Sequence, residues 1–341
     1  MRDMPIAISH HYSLREHNTF GMDVKAWQFI NYHSVEELVE VLSTLRGNGE
    51  PMLHIGGGSN LLFTKDFDGT ILHSCIKFID VLSRDSREVT VRVGAGVVWD
   101  DFCSLMAQND YYGSENLSLI PGEVGAAAVQ NIGAYGVEVE SIIHEVETIE
   151  VATGLPRVFP ASECEYGYRD SVFKNRLQGQ YIVTAVVFRL AVIPLLHLDY
   201  GPLQQLRAQD TTPTAQDIRN AVIAIRQSKL PDTAQLGSAG SFFKNPVVPI
   251  EVYHQLAATY ADVPHYPVSE QEVKIPAAWL IEQCGWKGRR HGGAAVYEKQ
   301  PLILVNLGNA TPSDIIELAS LIEQSVKEKF HIQLHPEVNY I

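Results

Sequence analysis

The sequence predicts an α+β protein of three domains, and three observations predict it. A helical-period segment leads through a short apolar strand into a glycine loop near residue 56. Strands dense in Val and Ile alternate with a helix between residues 88 and 190, and a further set of helices and short strands follows residue 214. The length of 341 residues suits two or three domains of about 100–150 residues each.

The elements follow in order. Ser34 caps a helix in which Val35, Leu38, Val39 and Leu42 share a face, with Glu37 placed to complete a capping box and Gly47-Asn48-Gly49 as the stop. Pro51 to Ile55 reads as a buried strand running into Gly56-Gly57-Gly58-Ser59-Asn60. Glu88 to Val93 alternates polar and apolar residues as a strand does, and Gly94-Ala95-Gly96 turns it into a helix from Trp99 to about Asn109. Ile120 to Gly136 is too broken by glycine for a regular helix. Glu145 to Val151 and Tyr181 to Leu190 are strands, making a second, mixed domain. The third region opens with a helix from Thr214 to Ser228, its Ile218, Val222 and Ile225 on one face. Pro276 starts another helix that ends near Gly285, and Leu302 to Asn306 is a strand. Thr311-Pro312-Ser313-Asp314 caps the last long helix, with Ile315, Leu318, Ile322 and Val326 inward, and His331 to Ile341 closes the chain as a strand.

Composition narrows the function classes. Hydrophobic residues are 45% and charged residues 19%, an ordinary globular balance. A formal net charge of -14 excludes a general nucleic-acid or membrane-surface binder, because phosphate-rich partners need a basic field. An anionic ligand would instead be held by a local cluster of cations and backbone N–H groups. Cys75, Cys103, Cys164 and Cys284 are scattered without a C-x-x-C pair, so neither a metal site nor a disulfide framework is expected. Residues 1–5 carry no basic segment followed by an apolar one, and no run of about 18 apolar residues exists. We expect a cytoplasmic protein.

Five segments could carry chemistry. Gly56 to Asn60 follows a strand, where glycines let backbone N–H groups close on a phosphate; it is neither a Walker loop nor G-x-G-x-x-G, and taken alone it is equally a tight turn. Ile120-Pro121-Gly122-Glu123-Val124-Gly125-Ala126-Ala127-Ala128 runs on to Gln130-Asn131-Ile132-Gly133-Ala134-Tyr135-Gly136. It implies close approach of backbone to another strand or to a flat ligand, whose polar edges Gln130, Asn131 and Tyr135 could read. Arg169 in Tyr168-Arg169-Asp170-Ser171 is either a surface ion-pair residue or a bidentate carboxylate ligand. Ser241 in Gly240-Ser241-Phe242-Phe243-Lys244-Asn245-Pro246 lacks the G-x-S-x-G frame of a hydrolase nucleophile. Glu337 in His335-Pro336-Glu337-Val338 has the surface as its default place. A Ser, an Arg and a Glu together would suit protonation of a carbanion beside a carboxylate, but nothing in the sequence shows that they meet.

These segments, with Asn18-Thr19-Phe20-Gly21, Lys229-Leu230-Pro231-Asp232 and Gly292-Gly293-Ala294, resemble in their order the motifs of the MurB family, the UDP-N-acetylenolpyruvoylglucosamine reductases. The resemblance runs from near residue 18 to the end of the chain. It implies two domains forming a vanillyl-alcohol-oxidase-like unit for FAD and a third, α+β domain for substrate. We expect their edges at 1–75 with 330–341, at 76–226 and at 227–329. It implies non-covalent FAD held by Gly56, Gly57, Gly58, Ser59, Asn60 and Leu61, by Ile120, Pro121, Gly122, Gly125, Ala126 and Ala127, and by Ile132, Gly133, Tyr135 and Arg226. NADPH would be the hydride donor and UDP-N-acetylenolpyruvoylglucosamine the acceptor. Arg169 and Glu337 would stabilise the enolate-like species and Ser241 would deliver the proton. The loop around Tyr200 resembles that of the longer family form, whose Tyr covers the substrate diphosphate, and Lys229, Asn245 and Gln300 match other substrate contacts.

The chain departs from the pattern in places: Gly57 stands where some relatives carry Glu, and Ala126-Ala127 where others carry Ser. His54 precedes the glycines rather than lying among them, so a packed neutral His fits better than a covalent flavin link. A monomer is expected. Two other readings differ in what they predict: a flavin oxidase of the same superfamily would consume oxygen and need no NADPH, and a non-catalytic UDP-sugar binder would carry no flavin.

Overall fold

The computed structural model describes residues 6–47, 49–208 and 212–341. The N-terminal pentapeptide, on which a leader was judged absent, and Asn48 of the first helix stop lie outside the described residues. The chain divides into two compact units. The first comprises the segment ending at Tyr12, Ala26–Gly57 and Phe67–Ser228; the second comprises Ser13–Lys25, Gly58–Asp66 and Lys229–Ile341.

The first unit holds two sheets. One has strand order Ile8–Ser13, Lys25–Tyr32, Phe67–Ser74, Met52–Ile55. Its last three strands run parallel, with the helix Val35–Leu45 in the crossover. Ser34 Oγ accepts the Glu37 N–H at 3.2 Å, as a cap should. The Glu37 carboxylate accepts from His33 N–H at 2.6 Å, one residue before the cap, so the predicted box closes one amide early. The second sheet is antiparallel, in the order Pro156–Pro160, Ile143–Glu150, Tyr181–Ala191, Glu88–Gly94, Ile79–Arg84. Its central strand, Tyr181–Ala191, is buried over most of its length, which explains its unbroken Val-rich run. Trp99 and Phe102 of the helix Trp99–Gln108 pack on Phe188 of that strand, Phe102 stacking on it at 4.7 Å between ring centroids. All three are fully buried, each worth roughly 2–3 kcal/mol of transfer from water. Ile149 and Ile182 of this sheet share a core with Ile30, Leu38, Leu42 and Leu72, so the two sheets form one body.

The glycine-rich stretch corrects the sequence reading, because it contains a helix, Val124–Gln130. Three alanines favour the helix, and Gly125 is a packing residue: a Cβ there would lie 2.9 Å from that of Ala95. The helix Ala215–Lys229 is tied in by Arg219, whose Nη1 and Nη2 donate to the two oxygens of Asp100 at 2.6 and 2.9 Å. Burial pushes the Asp100 carboxyl up, but Arg219 and the Leu119 N–H outweigh it and hold it below the usual carboxylate range.

The second unit contains two three-stranded sheets and the long helix Pro312–Phe330. Thr311 and Asp314 close a full capping box, and Ile315, Leu318, Ile322 and Val326 are buried as their spacing predicts. The helix Ile250–Thr259 escaped the sequence reading because it buries only Leu256 fully. The C-terminal segment is not one strand either. Only Asn339–Tyr340 forms a ladder, parallel to Leu61–Leu62; the residues before it bond to Phe242 and Lys244, because the chain changes partners along its length.

Asp100→Asn should remove the buried ion pair and leave Arg219 uncompensated. Denaturant unfolding should show a loss of about 3 kcal/mol. A loss below about 0.5 kcal/mol would show that the pair behaves as a solvated surface bridge.

Candidate active site

In the first unit the two glycine-rich segments lie against each other. A Cβ on Gly56 would meet the Ala126 Cβ at 3.1 Å and Glu123 Oε2 at 3.3 Å, and one on Gly57 would meet the Gly122 Cα at 3.5 Å. A side chain at Gly56 would crowd Ala126 and Glu123, whereas Gly57 has room for one in ordinary contact. Glu123, which precedes that helix, is nearly buried, and its Oε1 lies 2.9 Å from His73 Nε2. The other ring nitrogen, His73 Nδ1, faces Asn31 Oδ1 at 2.8 Å. Next to this pair, His54 Nε2 and the Tyr32 hydroxyl are 2.8 Å apart.

Beyond the helix the chain turns through Asn131 and Tyr135, both with left-handed backbone. Asn131 does not read a ligand edge. Its amide donates to the Gly167 carbonyl at 2.8 Å, and its Oδ1 accepts from Glu140 N–H at 3.2 Å. Gln130 Nε2, by contrast, is a buried donor without a hydrogen-bond partner. The Tyr135 hydroxyl and the Arg226 guanidinium are hydrogen-bonded; burial pushes the tyrosine up and the arginine down, and each opposes the other's shift. Arg226 Nε is buried with no partner. Tyr200 meets Tyr135 edge to face at 5.2 Å. Asn116 holds both ends of this contact, donating to the Tyr135 carbonyl at 3.0 Å and to the His197 carbonyl at 2.8 Å.

Arg169 is not a surface ion-pair residue. Its side chain is only 16% exposed, and its Nη1 lies 3.3 Å from Glu138 Oε1. Nη2 donates to the Gly133 carbonyl and Nη1 to that of Asn131. A left-handed turn closed by Gly167 and Asp170 presents it, and Ser171 Oγ donates to the Val129 carbonyl at 2.6 Å to anchor that turn.

In the second unit the Asn18-Thr19-Phe20-Gly21 segment is a hub. The Asn18 side chain closes its own turn on Leu14 and Met22. Thr19 N–H donates to the Gly58 carbonyl at 3.2 Å, and Ser238 N–H donates to the Thr19 carbonyl at 2.9 Å. Gly58 has φ +64, and a Cβ on it would sit 1.9 Å from the His17 carbonyl oxygen, so glycine is required there. Ser241 follows Gly240 (φ +72) and is exposed, while Phe242 and Phe243 behind it are buried. The segment is clamped between two others: Phe242 N–H donates to the Leu302 carbonyl and Glu337 N–H to the Phe242 carbonyl, both at 2.8 Å. Asn60 Nδ2 donates to the Glu337 carbonyl at 3.1 Å. Ser241, Glu337 and the end of the glycine loop therefore share one backbone network. Asn245 Oδ1 accepts the Ala277 N–H and caps that helix, Gln300 Oε1 accepts the Leu302 N–H at 3.4 Å, and Lys229 is exposed at the end of its helix. Arg169, Tyr135, Arg226 and Tyr200 belong to the first unit; Ser241, Glu337, Asn245, Gln300 and Lys229 belong to the second.

Residues 231–341 match the model of the UDP-N-acetylenolpyruvoylglucosamine reductase C-terminal domain, and residues 28–158 match that of an FAD binding domain. The UDP-N-acetylenolpyruvoylglucosamine reductase of Bacteroides fragilis is 51% identical over 330 residues, covering 97% of this chain and 99% of that protein. That of Porphyromonas gingivalis is 47% identical over 97% of this chain and 98% of its own. The chain belongs to the UDP-N-acetylenolpyruvoylglucosamine reductase family. It is an FAD-dependent oxidoreductase. The crystal structure of the family member from Thermus caldophilus superposes with a TM-score of 0.68 over 99% of both chains, at 23% identity, which supports the shared fold.

The residues present fit a flavin nucleotide. A glycine turn, a buried amide donor on Gln130 and a buried guanidinium N–H on Arg226 are the donors that phosphate and ring carbonyl oxygens require. Ile120 and Ile132 are half-buried against the core of the second sheet. Among the described residues, no three of His, Cys, Asp and Glu are grouped to hold a metal, and no helix is long and apolar enough to cross a membrane. No two of the four cysteines are joined. Sequence reasoning gave no role to Glu123 within its glycine-rich segment, and passed over His73, which carries no motif of its own, and Asn116, whose two acceptors are backbone carbonyls far apart in the chain.

His54 matches the packed neutral ring expected of it. Burial first, and the neighbouring His73 second, push its imidazole down to about 4 from an ordinary 6.5. As pH falls, the unfolded chain therefore binds this proton before the folded one does. The stability it supports is complete above about 6.5 and is lost as pH drops toward 4. Denaturant unfolding across that interval should give a steeper pH dependence for wild type than for His54→Gln. Equal slopes would show that the ring titrates freely in the fold.

Proposed function

We propose that this chain reduces UDP-N-acetylenolpyruvoylglucosamine to UDP-N-acetylmuramate with NADPH as donor, in peptidoglycan precursor synthesis, as a cytoplasmic monomer. The observation that carries the reading is the presentation of Ser241: an exposed hydroxyl on a left-handed turn, with two buried aromatics behind it and Glu337 bonded to the adjacent backbone. FAD would be held by the Gly56–Leu61 turn, by Ile120, Pro121, Gly122, Gly125, Ala126 and Ala127, and by Ile132, Gly133, Tyr135 and Arg226. When bound, it would supply the hydride chemistry between NADPH and the enolpyruvyl group.

The protein's own residues handle charge and protons. Negative charge develops at the substrate carbon that bears the carboxylate. Arg169, its guanidinium oriented by Gly133, Asn131 and Glu138, faces that charge. Glu337 can help there only as a hydrogen-bond donor, which requires its acid form. Ser241 Oγ–H delivers the proton to the same carbon. A hydroxyl is a weak acid, but a carbanion is a strong base and the rigid turn orients the transfer. Tyr200, Lys229, Asn245 and Gln300 bind the sugar nucleotide.

Ser241→Ala should leave the bleaching of bound flavin by NADPH nearly unchanged. Its recovery on anaerobic addition of the enolpyruvyl UDP-sugar should slow by roughly 10²–10⁴-fold, the usual worth of a positioned acid. Equal slowing of both halves in stopped-flow absorbance would remove Ser241 from the acid role. Flavin that recovers only with oxygen would point to an oxidase acting on another substrate.

Tyr200→Phe should weaken binding of the sugar nucleotide to the oxidised protein about tenfold, the worth of a lost hydrogen bond to a charged group. Flavin reduction by NADPH should hold within about twofold, since the loss is confined to a binding contact. An unchanged Kd from flavin spectral titration would take Tyr200 out of the binding site.

A further inference from the structure

We propose that His73 is a fixed positive counter-charge to Glu123, and that it stops this carboxylate from repelling the pyrophosphate of the flavin nucleotide at Gly56-Gly57. The inference deepens the proposed FAD reading and rests on it.

Glu123 is an awkward residue for an anion site. It is nearly buried at the turn into the Val124–Gln130 helix, and its Oε2 lies 3.3 Å from the place a Gly56 Cβ would take. A bare carboxylate there works against every backbone N–H group that the glycines expose, and low exposure removes the water that would screen it. Its Oε1 is engaged by His73 Nε2 at 2.9 Å, with the two side chains 12% and 11% exposed.

The surroundings of His73 decide its charge. Nδ1 is 2.8 Å from Asn31 Oδ1 and Nε2 is 2.9 Å from Glu123 Oε1. Both partners are placed as acceptors, so the geometry accommodates a proton on each ring nitrogen, which is the charged form that the proposal requires. The Cys75 thiol completes this cluster, 3.6 Å from the same Oδ1 and 3.9 Å from His73 Nδ1. Among the described residues, no lysine or arginine is paired with Glu123. His54 is neutral near pH 7, its hydrogen-bond partner Tyr32 is uncharged, and Lys77 is exposed beside Cys75. The pair is neutral as a unit, and removing its positive half leaves a buried negative charge at the mouth of an anion-binding turn.

A merely structural clip between the strand Phe67–Ser74 and the Glu123 turn would use the same hydrogen bond, so the test must separate charge from linkage. The readout is the FAD dissociation constant, from the fluorescence of flavin released when holoprotein is serially diluted. His73→Gln keeps a donor toward Glu123 and loses the charge; it should raise the dissociation constant about tenfold or more. Glu123→Gln removes the repelling charge and should bind FAD within about threefold of wild type or tighter, and the double variant should recover to that level. Weakening by Glu123→Gln as large as by His73→Gln, or no recovery in the double variant, overturns the counter-charge role. Glu123→Gln is isosteric, so it decides the question even if His73→Gln fails to fold. Wild-type protein that holds no FAD would sink the flavin reading itself, an outcome distinct from either of these.

Discussion

The constraint on which the second unit depends is the close approach of backbone at Gly58. With φ +64 and the His17 carbonyl where a side chain would begin, the position admits only glycine. That contact holds the glycine loop against the Asn18-Thr19-Phe20-Gly21 turn, whose next carbonyl takes the Ser238 N–H and so positions the segment carrying Ser241. Asn60 then reaches the Glu337 carbonyl, and the chain end pairs along Leu61–Leu62 and Thr64. Segments from residues near 18, 60, 240 and 337 are thus held by main-chain bonds. Such bonds are rigid and tolerate side-chain variation, which would suit the aimed proton delivery proposed for Ser241.

The first unit solves a different problem, the holding of an anionic cofactor by a chain with net charge -14. It offers no broad basic surface. It offers glycines that expose backbone N–H groups, buried donors on Gln130 and Arg226, and acids already matched to cations. Asp100 is matched to Arg219, Glu138 to Arg169 and Glu123 to His73. Pairing near the site lets an acidic protein present a locally favourable potential without the nonspecific binding that a basic field would bring.

Much of this was legible in the chain. The caps at Ser34 and Thr311, the buried strand at Tyr181–Ala191 and the inward face of Pro312–Phe330 follow from local chemistry and periodicity, which act over a few residues. The ordered motifs pointed to the family, which relatives at 51% and 47% identity then established. The misreadings have equally local causes. Glycine in Val124–Gln130 read as a helix breaker because the neighbour that needs it, Ala95, lies about thirty positions away. The helix Ile250–Thr259 buries too little to leave a pattern.

By itself the sequence determined which segments would be helices and strands where burial is regular, and which residue types were on hand for binding and proton transfer. Only the tertiary structure decided what those residues do. Asn131, read as a candidate ligand reader, is consumed by backbone groups; Arg169, readable as a surface ion, is folded over Gly133; Glu123, within the glycine-rich segment, and His73, which no motif marks, face each other at 2.9 Å. The physical reason is range. Capping and periodicity are set by neighbours along the chain, whereas burial, hydrogen-bond partners and charge pairing are set by neighbours in space, and these come from segments whose separation carries no local signal.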